Sequence, residues 1–133
     1  KVRFLRYVIE NLGKNQEINA YDDIFNSATL LDDLTNGISK AIEFDANGIY
    51  HMAGSSCVSR FDFAKTIAKV FNFNENLVKP VSIVSAKLKA QRPVNPCLNN
   101  SKAVKTFNIK FSSINEGIKQ VYKGRDEVDI FNI

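Results

Sequence analysis

Residues 49–73, IYHMAGSSCVSRFDFAKTIAKVFNF, carry the pattern that most restricts how this chain can fold. The apolar run at residues 49–54 has the makings of a short buried strand and ends in small residues. Behind it Ser59 stands three positions before Asp62, the spacing of a capping box, with Val58 and Phe63 placed as a hydrophobic staple. Ala64, Ile67, Ala68 and Phe71 then continue an apolar helical stripe. A strand delivered through a small-residue turn into a capped helix is half of an alternating α/β unit. It predicts a layered α/β architecture rather than a bundle or a sandwich.

The flanks agree with that reading. KVRFLRYVIENL sets Val2, Leu5, Val8, Ile9 and Leu12 at a helical period, with Gly13 as the stop. EINAY reads as a strand leading into the polar loop DDIFNSAT. In TLLDDLTNGISKAIE, Leu30, Leu31, Leu34, Ile38, Ala41 and Ile42 share one face, Thr29 is a candidate N-cap, and Asp32 and Asp33 complement the helix start. LVKPVSIV is an extended segment whose Pro80 suits a sheet edge. NNSKAVKTF and SSINEGIKQVYK are closing helices, the second with Ser113 and Glu116 at capping-box spacing. With 133 residues and 44% hydrophobic content, one compact domain is expected. Because Lys1 opens directly into a helix, the sequence reads as part of something longer.

Several chemistries lack their residues. No GxGxxG or P-loop pattern is present to cradle a pyrophosphate. The residues four positions after Tyr7, Tyr21, Tyr50 and Tyr122 are Asn11, Phe25, Gly54 and Asp126, so no Tyr-x-x-x-Lys proton donor exists. His51, the one histidine, is expected to be a packed, hydrogen-bonded side chain within the strand. Asp22–Asp23 and Asp32–Asp33 are neighbours whose side chains diverge in either a strand or a helix, unlike facing catalytic carboxylates. Cys57 and Cys97 lie 40 residues apart outside any CxxC pattern, which predicts free thiols and no metal site. Neither a run of 18 apolar residues nor a secretory leader is visible, so a cytoplasmic location without membrane contact is expected.

Charge is unevenly spread. From Glu75 to Glu116 no acidic residue intervenes, while Lys79, Lys87, Lys89, Arg92, Lys102, Lys105 and Lys110 supply seven cations. Such a stretch suits a negatively charged partner or, equally, a solvated surface. Within it, AQRPVNPCLNNSKA places Arg92 before Pro93, and a residue before proline is driven into extended geometry. A stiff segment carrying a planar guanidinium suits an anion. Nucleic acid is not the expected anion, since residues 79–105 lack interleaved aromatics and any recognised motif.

Three stretches, in order, resemble the C-terminal part of the extended short-chain dehydrogenase/reductase family, most closely its dTDP-4-dehydrorhamnose reductase branch. NSATLLDDLTNGISKAIE is similar to that branch's SPT…DLA segment, with Ser27 and Thr29 in place and Ala28 where proline is usual. GIYHMAGSSCVSRFDFAKTIAKVF looks like its strand and helix. AQRPVNPCLNNSKA resembles its A-x-R-P-x-x-S-x-L-x-x-x-K segment, with Pro96 where serine is common.

The resemblance implies the C-terminal portion of a Rossmann-type reductase, residues 1–133 being a single substrate-binding portion whose cofactor-binding half is missing upstream. The complete protein would use NADP or NAD to reduce a nucleoside-diphosphate 4-keto sugar, while this chain alone would neither bind the cofactor nor catalyse. Arg92 would meet the diphosphate, Lys89 would add positive field, and Ser27 and Thr29 would touch ligand from their loop. Homo-oligomers are compatible with the resemblance. The other reading open within the same fold is a non-catalytic regulatory relative, such as a methionine adenosyltransferase β-like subunit.

Overall fold

The computed structural model describes residues 4–86, 90 and 93–124. Its organising contact is a parallel pair of strands, β1 (Ile18–Tyr21) and β4 (Val78–Val81), with Ile18 opposite Val78 and Tyr21 opposite Val81. Parallel strands need a long crossover. Here it contains β2 (Phe25–Asn26), α2 (Leu31–Glu43), β3 (Val58–Ser59) and α3 (Arg60–Val70). Ile18, Ala20 and Val78 are buried, in a core completed by Val8, Ile9 and Leu12 of α1 (Phe4–Gly13) and by Ala64, Ile67 and Ala68 of α3. Ile118 of α5 (Ile114–Lys123) joins the same core. Burying a side chain such as Ile67 fully is worth about 1.5–3 kcal/mol.

A second, smaller core forms around α4 (Ser101–Phe107), where Ala103, Phe107 and Phe111 are buried among Ala41, Tyr50, Met52 and Ile109. The Phe107 ring centroid lies 4.8 Å from that of Tyr50 and meets Phe44 edge-on at 5.9 Å. This core seats α2, though not by the expected face. Leu31, Ile38 and Ile42 are 68%, 47% and 76% exposed, and the one buried residue of α2 is Gly37. A Cβ at Gly37 would stand 3.0 Å from the Met52 sulfur, so the helix docks where its surface is lowest. The inward stripe therefore runs through Leu34, Gly37 and Ala41, turned away from the largest side chains.

The expected strand at residues 49–54 is also absent, and His51 is exposed rather than packed. Gly48, at φ +102°, makes the turn that the Asn47–Gly48 pair predicts. Beyond it, the backbone groups find partners outside any ladder. The Ala53 carbonyl accepts from the Asn100 side chain, Gly54 N–H donates to the Thr29 hydroxyl, and Ser55 N–H donates to the Ser112 carbonyl. The apolar run signalled burial of Tyr50, Met52 and Ala53 without signalling pairing.

Helix ends are set locally. Asn15, Asp45, Asn72 and Asn108 follow α1, α2, α3 and α4 with φ between 46° and 58°, the left-handed region that asparagine and aspartate tolerate best after glycine. Ser59 Oγ accepts from Asp62 N–H at 3.0 Å at the head of α3. The box at α5 is reciprocal: Ser113 N–H donates to Glu116 Oε2 (2.8 Å), and Glu116 N–H to Ser113 Oγ (3.3 Å). Lys110, 2.6 Å from the other oxygen, together with the Ser113 donors, lowers the Glu116 carboxyl to about 2. No described helix is long and apolar enough to cross a membrane.

Candidate functional site

Segment 94–100, which follows Arg92 in sequence, is fastened to two other loops. Phe25 N–H donates to the Val94 carbonyl (2.9 Å), Leu98 N–H to Ser27 Oγ (3.3 Å), and Asn100 Nδ2 to the Ala53 carbonyl (2.8 Å). Those two loops meet where Gly54 N–H donates to Thr29 Oγ1 (3.1 Å). Antiparallel pairing of β2 with β3, Phe25 opposite Ser59, closes the junction. The three stretches singled out in the sequence thus converge in space: 25–29, 53–57 and 94–100.

Ser27 and Thr29 enter this junction as fasteners. Thr29 does not cap α2; Leu30 is the N-cap and no side chain serves it. The Thr29 hydroxyl instead accepts from Gly54 and donates to the Ser27 carbonyl at 3.3 Å. The backbone at Gly54 lies so close to Ala28 that its N–H is the donor Thr29 meets.

Cys57 and Cys97 are joined in a disulfide, not free thiols, with their Cα atoms 5.7 Å apart. Their wide sequence spacing carried no signal, because the junction is what brings them together. The bridge pins Cys97, five positions beyond Arg92, to a point two residues before the Ser59 cap of α3.

Charge in the acid-free stretch is partly tied up. Lys79 lies 3.6 Å from Glu17 and Lys110 pairs with Glu116. Lys102 donates to the Ile49 carbonyl (2.9 Å) and stands 4.1 Å over the Tyr50 ring. Lys89 and Arg92 lie outside the described residues. The aspartate pairs serve structure: Asp33 accepts from Ser112 N–H (2.6 Å), and Asp23 accepts from the Ser82 hydroxyl and from Ile83 N–H (2.9 Å). Those two donors, Ser82 first, hold the Asp23 carboxyl below its usual range. No group of three or more His, Cys, Asp or Glu side chains among the described residues could hold a metal ion.

Two hollows flank the junction. One, of about 400 Å³, opens at the carboxyl ends of β1 and β4, bounded by Tyr21, Val81 and Ile83 and by Phe4 and Tyr7 of α1. The carboxyl ends of parallel strands are where open α/β sheets take ligands. The other, of about 180 Å³, runs along β2 and β3. Arg60 borders both and is the only charged side chain among the described residues in either wall. A third hollow, of about 100 Å³, is lined mainly by apolar groups such as Leu5, Leu30, Phe63 and Ile118, and offers an anion no charge. The sequence reading passed over Arg60. The available signal was a cation at the first position of a helix, where the macrodipole disfavours it.

The family model for the RmlD substrate binding domain matches residues 1–126. The chain is similar to a dTDP-4-dehydrorhamnose reductase of Aggregatibacter actinomycetemcomitans, 33% identical over 79 residues that make up 56% of this chain and 27% of that protein. It is similar to another from Sinorhizobium fredii, 24% identical over 128 residues, 89% of this chain and 43% of that protein. The crystal structure of dTDP-4-dehydrorhamnose reductase from Bacillus anthracis, in complex with NADP, superposes with a TM-score of 0.83 at 27% identity, covering 92% of this chain and 43% of that one. The chain spans less than half the length of these relatives, and its α/β fold is that of a portion of a Rossmann-type reductase.

Proposed function

Because this chain belongs to the RmlD substrate binding domain family, we propose that it forms the nucleotide-sugar-binding part of an NAD(P)H-dependent reductase acting on a nucleoside-diphosphate 4-keto sugar. The observation that carries this reading is the junction, where segment 94–100 is bonded to the loops at 25–29 and 53–57. A binding segment that must be ordered loses affinity to that ordering, and segment 94–100 is tied at four points beforehand. Arg92 contacts the diphosphate, where its fork makes bidentate, charge-assisted bonds. Lys89 adds positive field. Ser27 and Thr29 hold the segment and border the ligand.

Among the described residues no strand runs through a glycine-rich turn into a helix, so these residues do not fit a dinucleotide pyrophosphate. On this reading the chain is the C-terminal portion of the complete protein. NADPH or NADH, held elsewhere, supplies the hydride, and the share of this chain is to bind and orient the sugar nucleotide.

The test is Arg92→Ala in the complete protein. Loss of hydrogen bonds to a charged group, about 1.5–3 kcal/mol, should weaken nucleotide-sugar binding roughly 10- to 150-fold at 1.4 kcal/mol per tenfold. Arg92→Lys should restore only part of it, since a point charge keeps attraction without the fork. Calorimetric titration decides. Equal affinities in well-folded wild type and Arg92→Ala would return Arg92 to a structural role.

A further inference from the structure

We infer that Arg60 is a second anion-binding residue, which meets the phosphates of the nucleotide ligand in the hollow at the carboxyl ends of β1 and β4. The inference rests on the function proposed above and extends it to a residue that the family resemblance does not single out. Four observations carry it.

First, no acidic side chain among the described residues lines either hollow that Arg60 borders, and none pairs with its guanidinium. A guanidinium in a wall of Phe4, Tyr21, Ile24, Val81 and Ile83 is a charge without a counter-charge. A half-buried charge among apolar side chains attracts an anion more strongly than a fully solvated one. Second, its position opposes the local rule. Arg60 is the first residue of α3, where the helix macrodipole disfavours a cation, and Asp62 of the same turn is occupied by the Ser59 hydroxyl at 2.6 Å.

Third, the side chain is held in place without being neutralised, since its guanidinium carbon lies 4.9 Å from the centroid of the Phe4 ring. That contact spends one face of the fork and leaves its N–H edge to donate. Fourth, the backbone ties the start of α3 to the junction. The Arg60 amide donates to the Ile24 carbonyl (3.2 Å), while the next residue, Phe25, donates to Val94, two positions after Arg92. Arg60 and segment 94–100 are thus anchored on adjacent residues of one short segment. A phosphate oxygen pair suits the two parallel N–H donors of one guanidinium fork.

The test uses the complete protein saturated with cofactor, so that phosphate binding at the dinucleotide site cannot report. Thymidine diphosphate and inorganic pyrophosphate are each titrated calorimetrically into wild type, Arg60→Gln and Arg60→Lys, with melting temperatures recorded. Arg60→Gln is expected to weaken both ligands at least tenfold and Arg60→Lys to weaken them several-fold. Where the glutamine variant melts early, the lysine variant decides, since it keeps the stem and the charge and loses only the fork. Unchanged affinities in folded variants overturn the role of Arg60 and leave the proposed function standing. A wild type that takes pyrophosphate through Arg60 but not thymidine diphosphate supports the anion site and removes the nucleotide-sugar reading. A wild type that binds neither overturns both.

Discussion

Alanine in place of Gly54 is expected to lower the unfolding free energy by about 3 kcal/mol, the upper range for forcing an extra methyl into a packed site. The added Cβ would fall inside contact distance of the Ala28 carbonyl oxygen and stand 3.3 Å from the Ser112 carbonyl oxygen, both of them backbone atoms that cannot rotate away. Relief would require loop 25–29 to retreat, and the Gly54–Thr29 and Leu98–Ser27 bonds would go with it. Gly117→Ala is the control. It lies inside α5, its nearest neighbour would be Leu30 Cβ at 3.9 Å, and alanine there should raise stability by roughly 0.5–1 kcal/mol. Urea unfolding followed by circular dichroism reads both. Shifts of the same sign in the two variants would mean that the close approach at Gly54 is not what holds the junction.

Reduction of the Cys57–Cys97 bridge, or Cys97→Ser, should cost up to about 4 kcal/mol, the chain-entropy value for a closed loop of 40 residues. The loss falls on the region that matters for binding, since the bridge is one of the four ties on segment 94–100. Urea midpoints with and without a thiol reductant measure it, and coincident curves would rule the bridge out as a determinant of stability. A reducing compartment opens such pairs.

What could be read from the sequence was whatever depends on neighbours a few residues away. The caps at Ser59 and Ser113, the helices α3, α4 and α5, and the strands at EINAY and VKPV follow from periodicity and capping chemistry, and all are present. The misread elements depend on distant partners. Residues 49–54 look like a strand, but their hydrogen bonds go to Thr29, Asn100 and Ser112. The face of α2 was misjudged because a glycine, which periodicity ignores, sets the approach of Met52. The disulfide needed the junction to exist first. Arg92 was singled out from its proline and its acid-free surroundings, and it lies outside the described residues. Arg60 was hidden inside a helix start whose cap drew the eye to Ser59 and Asp62, although its sign was wrong for that place.

The bridge also changes what cutting the chain does. Cys57 and Cys97 close a covalent ring that includes α3 and β4, and the ring contains Lys87 and Lys89, each followed by a peptide bond of the kind trypsin recognises. A single cut between the two cysteines therefore opens the ring without releasing a fragment. The nicked molecule keeps its full mass until a reductant separates the halves, so the intact size of a digested sample under non-reducing conditions says nothing about whether its backbone is whole.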